Sequence, residues 1–211
     1  MSQPSVDSVL VYADYVCPFC YLGYASRDRY REGRPTASSL EVDWHPFDLR
    51  AGQRRPDGTM DPTVDVGKDD AYYTQARENV RRLAERYGVE MAQDLAREVD
   101  SRDAQRVAWR AREEHPGAFE AFHRGVFDAL WEDGRDVGET DVLEEVAASA
   151  GLPDGFVAST LADEATATDV EEAFEAARRR GITGVPAFVA GEHVARGAVP
   201  PEHLRRLVEG T

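Results

Sequence analysis

Val9-Leu10-Val11-Tyr12-Ala13-Asp14-Tyr15-Val16-Cys17-Pro18-Phe19-Cys20-Tyr21-Leu22-Gly23 is the stretch on which the fold turns. Its first five residues are apolar and partly β-branched, the pattern of a short buried strand. Pro18 has no N–H to leave unpaired, so it suits the first turn of a helix. The spacing therefore predicts a strand over 9–13 and, from Pro18 to roughly Arg31, a helix that opens on Cys-x-x-Cys and stops at Gly33.

That placement decides what the two cysteines of the chain can do. At i and i+3 on the first helical turn both sulfurs lie on one side and can close a small disulfide loop. The N-terminal sulfur faces unpaired backbone N–H groups and the positive end of the helix dipole, which favour a thiolate. The thiolate is the attacking species in thiol–disulfide exchange. Cys17 is thus the expected nucleophile, and Cys20, one turn further in, the expected resolving thiol. Pro18 removes one donor beside Cys17, and Phe19 brings no positive charge. Asp14, three residues before Cys17, can influence its proton or accept one from Cys20, or else cap the helix or face solvent, and both kinds of role stay open. Two other readings of the pair are weaker. Half a zinc site would need imidazole partners, and the five histidines form no H-x₃-H pair. Inert core thiols are seldom set directly after a strand and at a helix start.

Working outward, Leu40 to Phe47 alternates Leu40, Val42 and Trp44 with Glu41 and Asp43, a second strand. Arg50 to Lys68 carries Gly52, Pro56, Gly58 and Pro62 and reads as a polar loop. From Asp69 to Ala165 the apolar period becomes helical, with Tyr72, Ala76, Val80, Leu83 and Tyr87 on one stripe and Phe119, Phe122, Val126, Phe127 and Leu130 on another. These aromatics read as core of a block that can still roof the thiols. Tyr21 and Trp44 read as packing residues. Thr168-Asp169-Val170-Glu171 has the pattern of a capping box. The helix it would open ends at Arg178-Arg179-Arg180-Gly181, read as a solvated helix end rather than an anion site. Gly184 to Ala190 is a strand, His193-Val194-Ala195 its hairpin return, and Pro200-Pro201 the opening of a last helix. The expected class is α/β, a small mixed sheet with helices on both faces and an all-helical insertion. Residues 1–68 and 166–211 would form the first and second parts of one domain, and 69–165 the inserted one.

The composition narrows the function. Among 211 residues, 40 Asp and Glu oppose 25 Lys and Arg, a formal net charge of −15. Such a surface repels a phosphate backbone, so no nucleic-acid partner is expected. Two cysteines cannot build a disulfide-dense secreted scaffold or a four-cysteine metal site. No run approaches the roughly 20 apolar residues that span a bilayer, and Met1 to Asp7 lacks the regions of a signal peptide. A cytoplasmic protein without a membrane partner, metal or cofactor is expected. Lys68 is the only lysine. Few lysines and many carboxylates resemble the composition of salt-loving microbes. Stability should then rise with salt as self-repulsion is screened. A melting temperature that is flat or falls between dilute buffer and molar KCl would contradict this.

Several segments together resemble one family. Asp14 to Gly23 looks like the active-site segment of DsbA-like thioredoxin-fold oxidoreductases, most closely the FrnE-like branch. Trp44-His45-Pro46-Phe47-Asp48-Leu49 resembles that branch's second strand, Gly181-Ile182-Thr183-Gly184-Val185-Pro186-Ala187-Phe188 its third with the preceding loop, and Ala195-Arg196-Gly197-Ala198-Val199-Pro200 the start of its C-terminal end. The resemblance implies a thioredoxin-like fold and a thiol–disulfide oxidoreductase acting on protein or small thiols, recycled by a redox partner. From spacing alone Pro186 reads as an ordinary trans proline at a strand start. The resemblance implies instead a cis Val185–Pro186 bond beside the cysteines, leaving Val185 backbone groups to pair with substrate. Pro18, Phe19, Val185 and Pro186 would then form the substrate surface. Proteins of similar layout include hydroxychromene-carboxylate isomerase and kappa-class transferases, so a thiol-cofactor-dependent isomerase or transferase is the alternative. A binding module that works without turnover would be indifferent to both cysteines.

Overall fold

A computed structural model describes residues 8–32, 41–61 and 63–209. The readings made above for Met1 to Asp7, Gly33, Leu40 and Pro62 lie outside these residues. Strand β1 (Ser8–Ala13) runs into helix α1 (Pro18–Glu32), and β2 (Glu41–Pro46) follows. Between β2 and the next helix the described residues form a 3-10 turn at Ala51–Gln53 and an isolated antiparallel bridge between Arg54 and Met60. Helices α2 (Asp70–Tyr87), α3 (Arg102–Glu114), α4 (Pro116–Trp131), α5 (Thr140–Ser149) and α6 (Phe156–Leu161) come next, then α7 (Glu164–Arg179). The hairpin β3 (Ala187–Ala190) and β4 (His193–Arg196) and helix α8 (Pro201–Glu209) close the chain.

The sheet has the order β2-β1-β3-β4. β1 pairs parallel with β2, placing Val11 opposite Trp44, and antiparallel with β3, placing Val11 opposite Phe188. Alternation along β1 divides the core. Val9 and Val11 share one face with Tyr30, Phe188, Leu204 and Val208, the face under α1 and α8. Tyr12 shares the other with Phe47, Ala177, Ile182 and Val189, under α7. Helices thus cover both faces of a mixed sheet, the expected α/β class. The first face is continuous with the helical segment, because Phe122, Val126, Phe127, Leu130 and Trp131 belong to the same buried cluster as Val11 and Trp44. No helix among the described residues is long and apolar enough to cross a membrane.

Two readings are corrected. The helix expected to open at Thr168 starts at Glu164, with the Asp163 side chain accepting from the Ala165 N–H at 3.2 Å and from Thr166 Oγ1 at 2.7 Å. Thr168 is already inside, its hydroxyl donating back to the Glu164 carbonyl. The apolar face explains the earlier start: Thr166, Val170, Phe174 and Ala177 are buried at helical spacing, and the face begins before Thr168. The boundary proposed between 165 and 166 therefore falls in the first turn of α7. The second correction is Tyr72. Read as part of the α2 stripe, it is 49 % exposed, while Val80 and Tyr87 carry the buried contact with Leu22 of α1.

Candidate functional site

Strand β1 delivers Asp14 at its end, and the turn after it delivers Cys17. The Cys17 N–H donates to the Asp14 carbonyl at 3.2 Å, and the Cys17 carbonyl accepts from the Cys20 N–H at 2.9 Å, the start of α1. Pro18 occupies the first helical position. Both cysteines are free thiols. Cys17 is 4 % exposed at the floor of a groove, and Cys20 is fully buried behind it. The Cys17 Sγ donates to the Val185 carbonyl at 3.5 Å, across 168 residues of chain. The Val185–Pro186 peptide is cis. Pro18, Phe19 and Val185 line the same groove as Cys17. Pro186 is buried behind it against α1.

A close approach at Gly23 allows that packing. A Cβ there would stand 3.2 Å from Pro186 Cγ and 3.3 Å from Phe188 Cζ, so a glycine lets the cysteine helix lie against the strand.

Beneath the cysteines Asp14 is buried and fully engaged. Its Oδ1 accepts from Ser101 Oγ at 2.5 Å and from the Val16 N–H at 3.2 Å, and its Oδ2 from the Leu49 N–H at 2.8 Å. Burial pushes its pKa up from 3.8 to about 6, Asp48 adds to the rise, and the three donors oppose it without cancelling it. Burial likewise pushes the Cys20 thiol well above its ordinary value, and the bond with Cys17 and the charges of Cys17 and Asp14 add to that, against a hydrogen bond from the Asp14 backbone. The Cys20 thiol is thus held in its protonated form, chiefly by burial, with the Asp14 charge among the smaller causes.

Ser101 was not legible as a site residue. It stands immediately before α3, and Gln105, one turn on, donates to the Phe47 carbonyl and accepts the Phe47 N–H at 3.1 Å. These bonds stitch the helical segment to the turn after β2. Arg54 adds to the stitching by joining Asp48, at 2.6 Å, to Asp100, at 2.7 Å. The expected roof over the thiols exists, but the aromatic stripe of α4 does not supply it. The groove, about 770 Å³, is walled by residues 47–53, by Val66, Lys68, Tyr72, Tyr73 and Ala76, by residues 95–97, and by Arg178 and 182–185. Phe119 and Phe127 instead pack around His123, whose ring nitrogens bond Tyr15 Oη at 2.7 Å and Tyr24 Oη at 2.8 Å. Burial and the neighbouring Arg27 and Arg124 hold that imidazole well below its ordinary pKa, so it is neutral and packs as core. Tyr21 donates to Glu132, away from the groove.

A family model described as DSBA-like thioredoxin domain matches residues 8–209. The Bacillus subtilis (strain 168) protein YwbO, described as uncharacterized, is 30 % identical over 205 residues, covering 95 % of this chain and 94 % of its own. A probable DsbA oxidoreductase from Streptomyces coelicolor, SCO1869, superposes with a TM-score of 0.76 at 27 % identity, covering 95 % of this chain and 88 % of that one. The fold is shared with a 2-hydroxychromene-2-carboxylate isomerase, with a TM-score of 0.71 at 20 % identity over 90 % of this chain and 89 % of that one.

Proposed function

This chain belongs to the DSBA-like thioredoxin domain family, and from that premise we propose that it is a thiol–disulfide oxidoreductase in which Cys17 attacks and Cys20 resolves. The observation that carries the reading is the division between the two sulfurs: Cys17 at the groove floor, Cys20 buried behind it with its proton held back. In the first step the Cys17 thiolate forms a bond to a substrate sulfur and expels the other as a thiol. In the second Cys20 attacks Cys17 Sγ and releases the remaining substrate thiol. Pro18, Phe19 and Val185 form the substrate surface, with Pro186 shaping it from behind. A dithiol or disulfide partner returns the pair to its starting state. The proposal includes a cytoplasmic setting, where free thiols persist.

Cys20→Ser tests the order of attack. The variant should accumulate a substrate adduct on Cys17, seen by mass spectrometry and removed by dithiothreitol. An adduct on no residue, or one on Cys20 in Cys17→Ser, would refute the assignment. Titration against glutathione redox buffers separates the isomerase alternative: a reversible Cys17–Cys20 disulfide supports exchange, whereas tight thiol binding without cysteine oxidation supports an isomerase or transferase.

A further inference from the structure

The groove over Cys17 has the wrong sign for this protein. Its walls carry Arg50, Lys68, Arg97 and Arg178 against one carboxylate, Asp48, and that carboxylate is bonded to Arg54. Among the described residues none of the four cations has a carboxylate partner within ion-pair distance. A second cavity, about 670 Å³ between α1 and α4, is lined by five carboxylates and two arginines. That balance is the one a net charge of −15 leads one to expect. The reactive sulfur therefore sits in a local reversal of charge.

The four cations come from four separate places: the turn after β2, the segment before α2, the segment before α3, and the end of α7. Arg50 gives its terminal nitrogens to Gln53 and to the Ala96 carbonyl, and its buried Nε has no partner. The Lys68 ammonium lies 5.1 Å from the centre of the Tyr72 ring, and the Arg97 guanidinium 3.8 Å from that of Tyr73. Ring faces hold a cation in place without neutralising it, so both remain available to an anion. Arg178, read from the sequence as a solvated helix end, is exposed and borders the groove. The volume of about 770 Å³ lies within the range that encloses a small molecule.

We propose that the groove selects low-molecular-weight disulfides that carry carboxylates, with Lys68 and Arg97 at its rim as specificity residues. The proposal rests on the exchange chemistry assigned above and names its substrate class. With a symmetric disulfide RS–SR, the Cys17 thiolate forms a bond to one sulfur, the S–S bond breaks, and RS⁻ leaves and takes a proton. The Cys20 thiolate then attacks Cys17 Sγ and expels the second RS⁻. Each substrate sulfur gains one electron, each cysteine loses one, and the two cysteine protons are balanced by two on the product thiols. An external dithiol reverses the change on the protein.

The test uses three disulfides of similar length: 3,3′-dithiodipropionate, bis(2-hydroxyethyl) disulfide and cystamine, bearing two negative, no and two positive charges. Oxidation of the reduced protein by each is measured at about 0.1 M salt, where the Debye length of about 10 Å screens the distant surface. Each rate is divided by that of dithiothreitol with the same compound, which removes intrinsic reactivity. The expected order is dianion, neutral, dication, the reverse of what net charge alone would give. In Lys68→Glu/Arg97→Glu the dianion rate should fall about tenfold, the low end of what a cleft of one sign contributes. The dication rate should rise and the neutral one hold. Equal normalised rates in the unaltered protein, or a variant that slows all three alike, would overturn the selection and leave the exchange chemistry standing. Oxidation by none of the three would overturn both. A disulfide of an acidic peptide that reacts faster than the small dianion would overturn the small-molecule assignment in favour of protein substrates.

Discussion

Cys17→Ser should reduce disulfide exchange, on insulin or on a small reporter, to the rate of the uncatalysed buffer reaction. A serine hydroxyl stays protonated at neutral pH and forms no bond equivalent to a disulfide, so the first step has no nucleophile. Cys20 cannot take its place, because it is fully buried and its thiol is held protonated. The loss should come without unfolding. Serine has the same shape as cysteine and is slightly smaller, and the one contact it gives up, from Cys17 Sγ to the Val185 carbonyl at 3.5 Å, is long. The variant should therefore keep its stability to within about 1 kcal/mol, as other near-isosteric changes do. Undiminished exchange by a folded Cys17→Ser protein would remove the proposed mechanism entirely.

Asp14→Asn should alter both stability and the second chemical step. In the fold Asp14 keeps its proton up to a pH of about 6, whereas in the unfolded chain it loses it near 3.8. Between those values the folded state binds more protons, so the contribution of Asp14 to stability is full below the lower value and is lost as pH rises through the upper one. The loss is about 3 kcal/mol at 1.36 kcal/mol per unit of pKa. Asparagine is neutral throughout. The difference in unfolding free energy between variant and unaltered protein should thus shift in the variant's favour by about 2.5 kcal/mol between pH 4 and pH 8, the remainder falling below pH 4. Asp128, also raised to about 6, titrates in both proteins and drops out of that difference. Urea unfolding at the two pH values gives the measurement, and parallel behaviour would contradict it.

The kinetic effect has a separate signature. A role for Asp14 as the base that accepts the Cys20 proton would show itself here, because a carboxylate charged above pH 6 can accept a proton and an amide cannot. Release of the first substrate thiol should be unchanged, while release of the second slows by about 10²-fold, the scale of a lost general base. The mixed disulfide on Cys17 would accumulate meanwhile. Equal slowing of both steps would mean that Asp14 only shapes the site.

The strand, the proline and the cysteines could be read together because they are local. Val9 to Cys20 specifies its own structure within a few turns of chain, and the helix begins at Pro18 as the spacing predicts. Contacts made at long range were not readable. Nothing in Ser101 announces that its hydroxyl meets Asp14 across 87 residues of chain. The four groove cations belong to segments that read separately as loop or helix end. Thr168 misled for a different reason: a threonine with glutamate three residues on occurs inside helices as well as at their starts. Only the buried face, extending back to Thr166, decides between them.

Gly23 gives the reactive centre its tolerance. The spacing between the helix carrying both sulfurs and the strand behind it is set by a missing methyl, since any side chain there would press on Pro186 and Phe188. The machinery thus has a rigid back and an adjustable front. Residues along the groove border the sulfurs without setting this spacing, whereas one carbon added behind them would oblige Pro186 and Phe188 to give by a few tenths of an ångström. A designer seeking new specificity should work at the rim and leave position 23 alone.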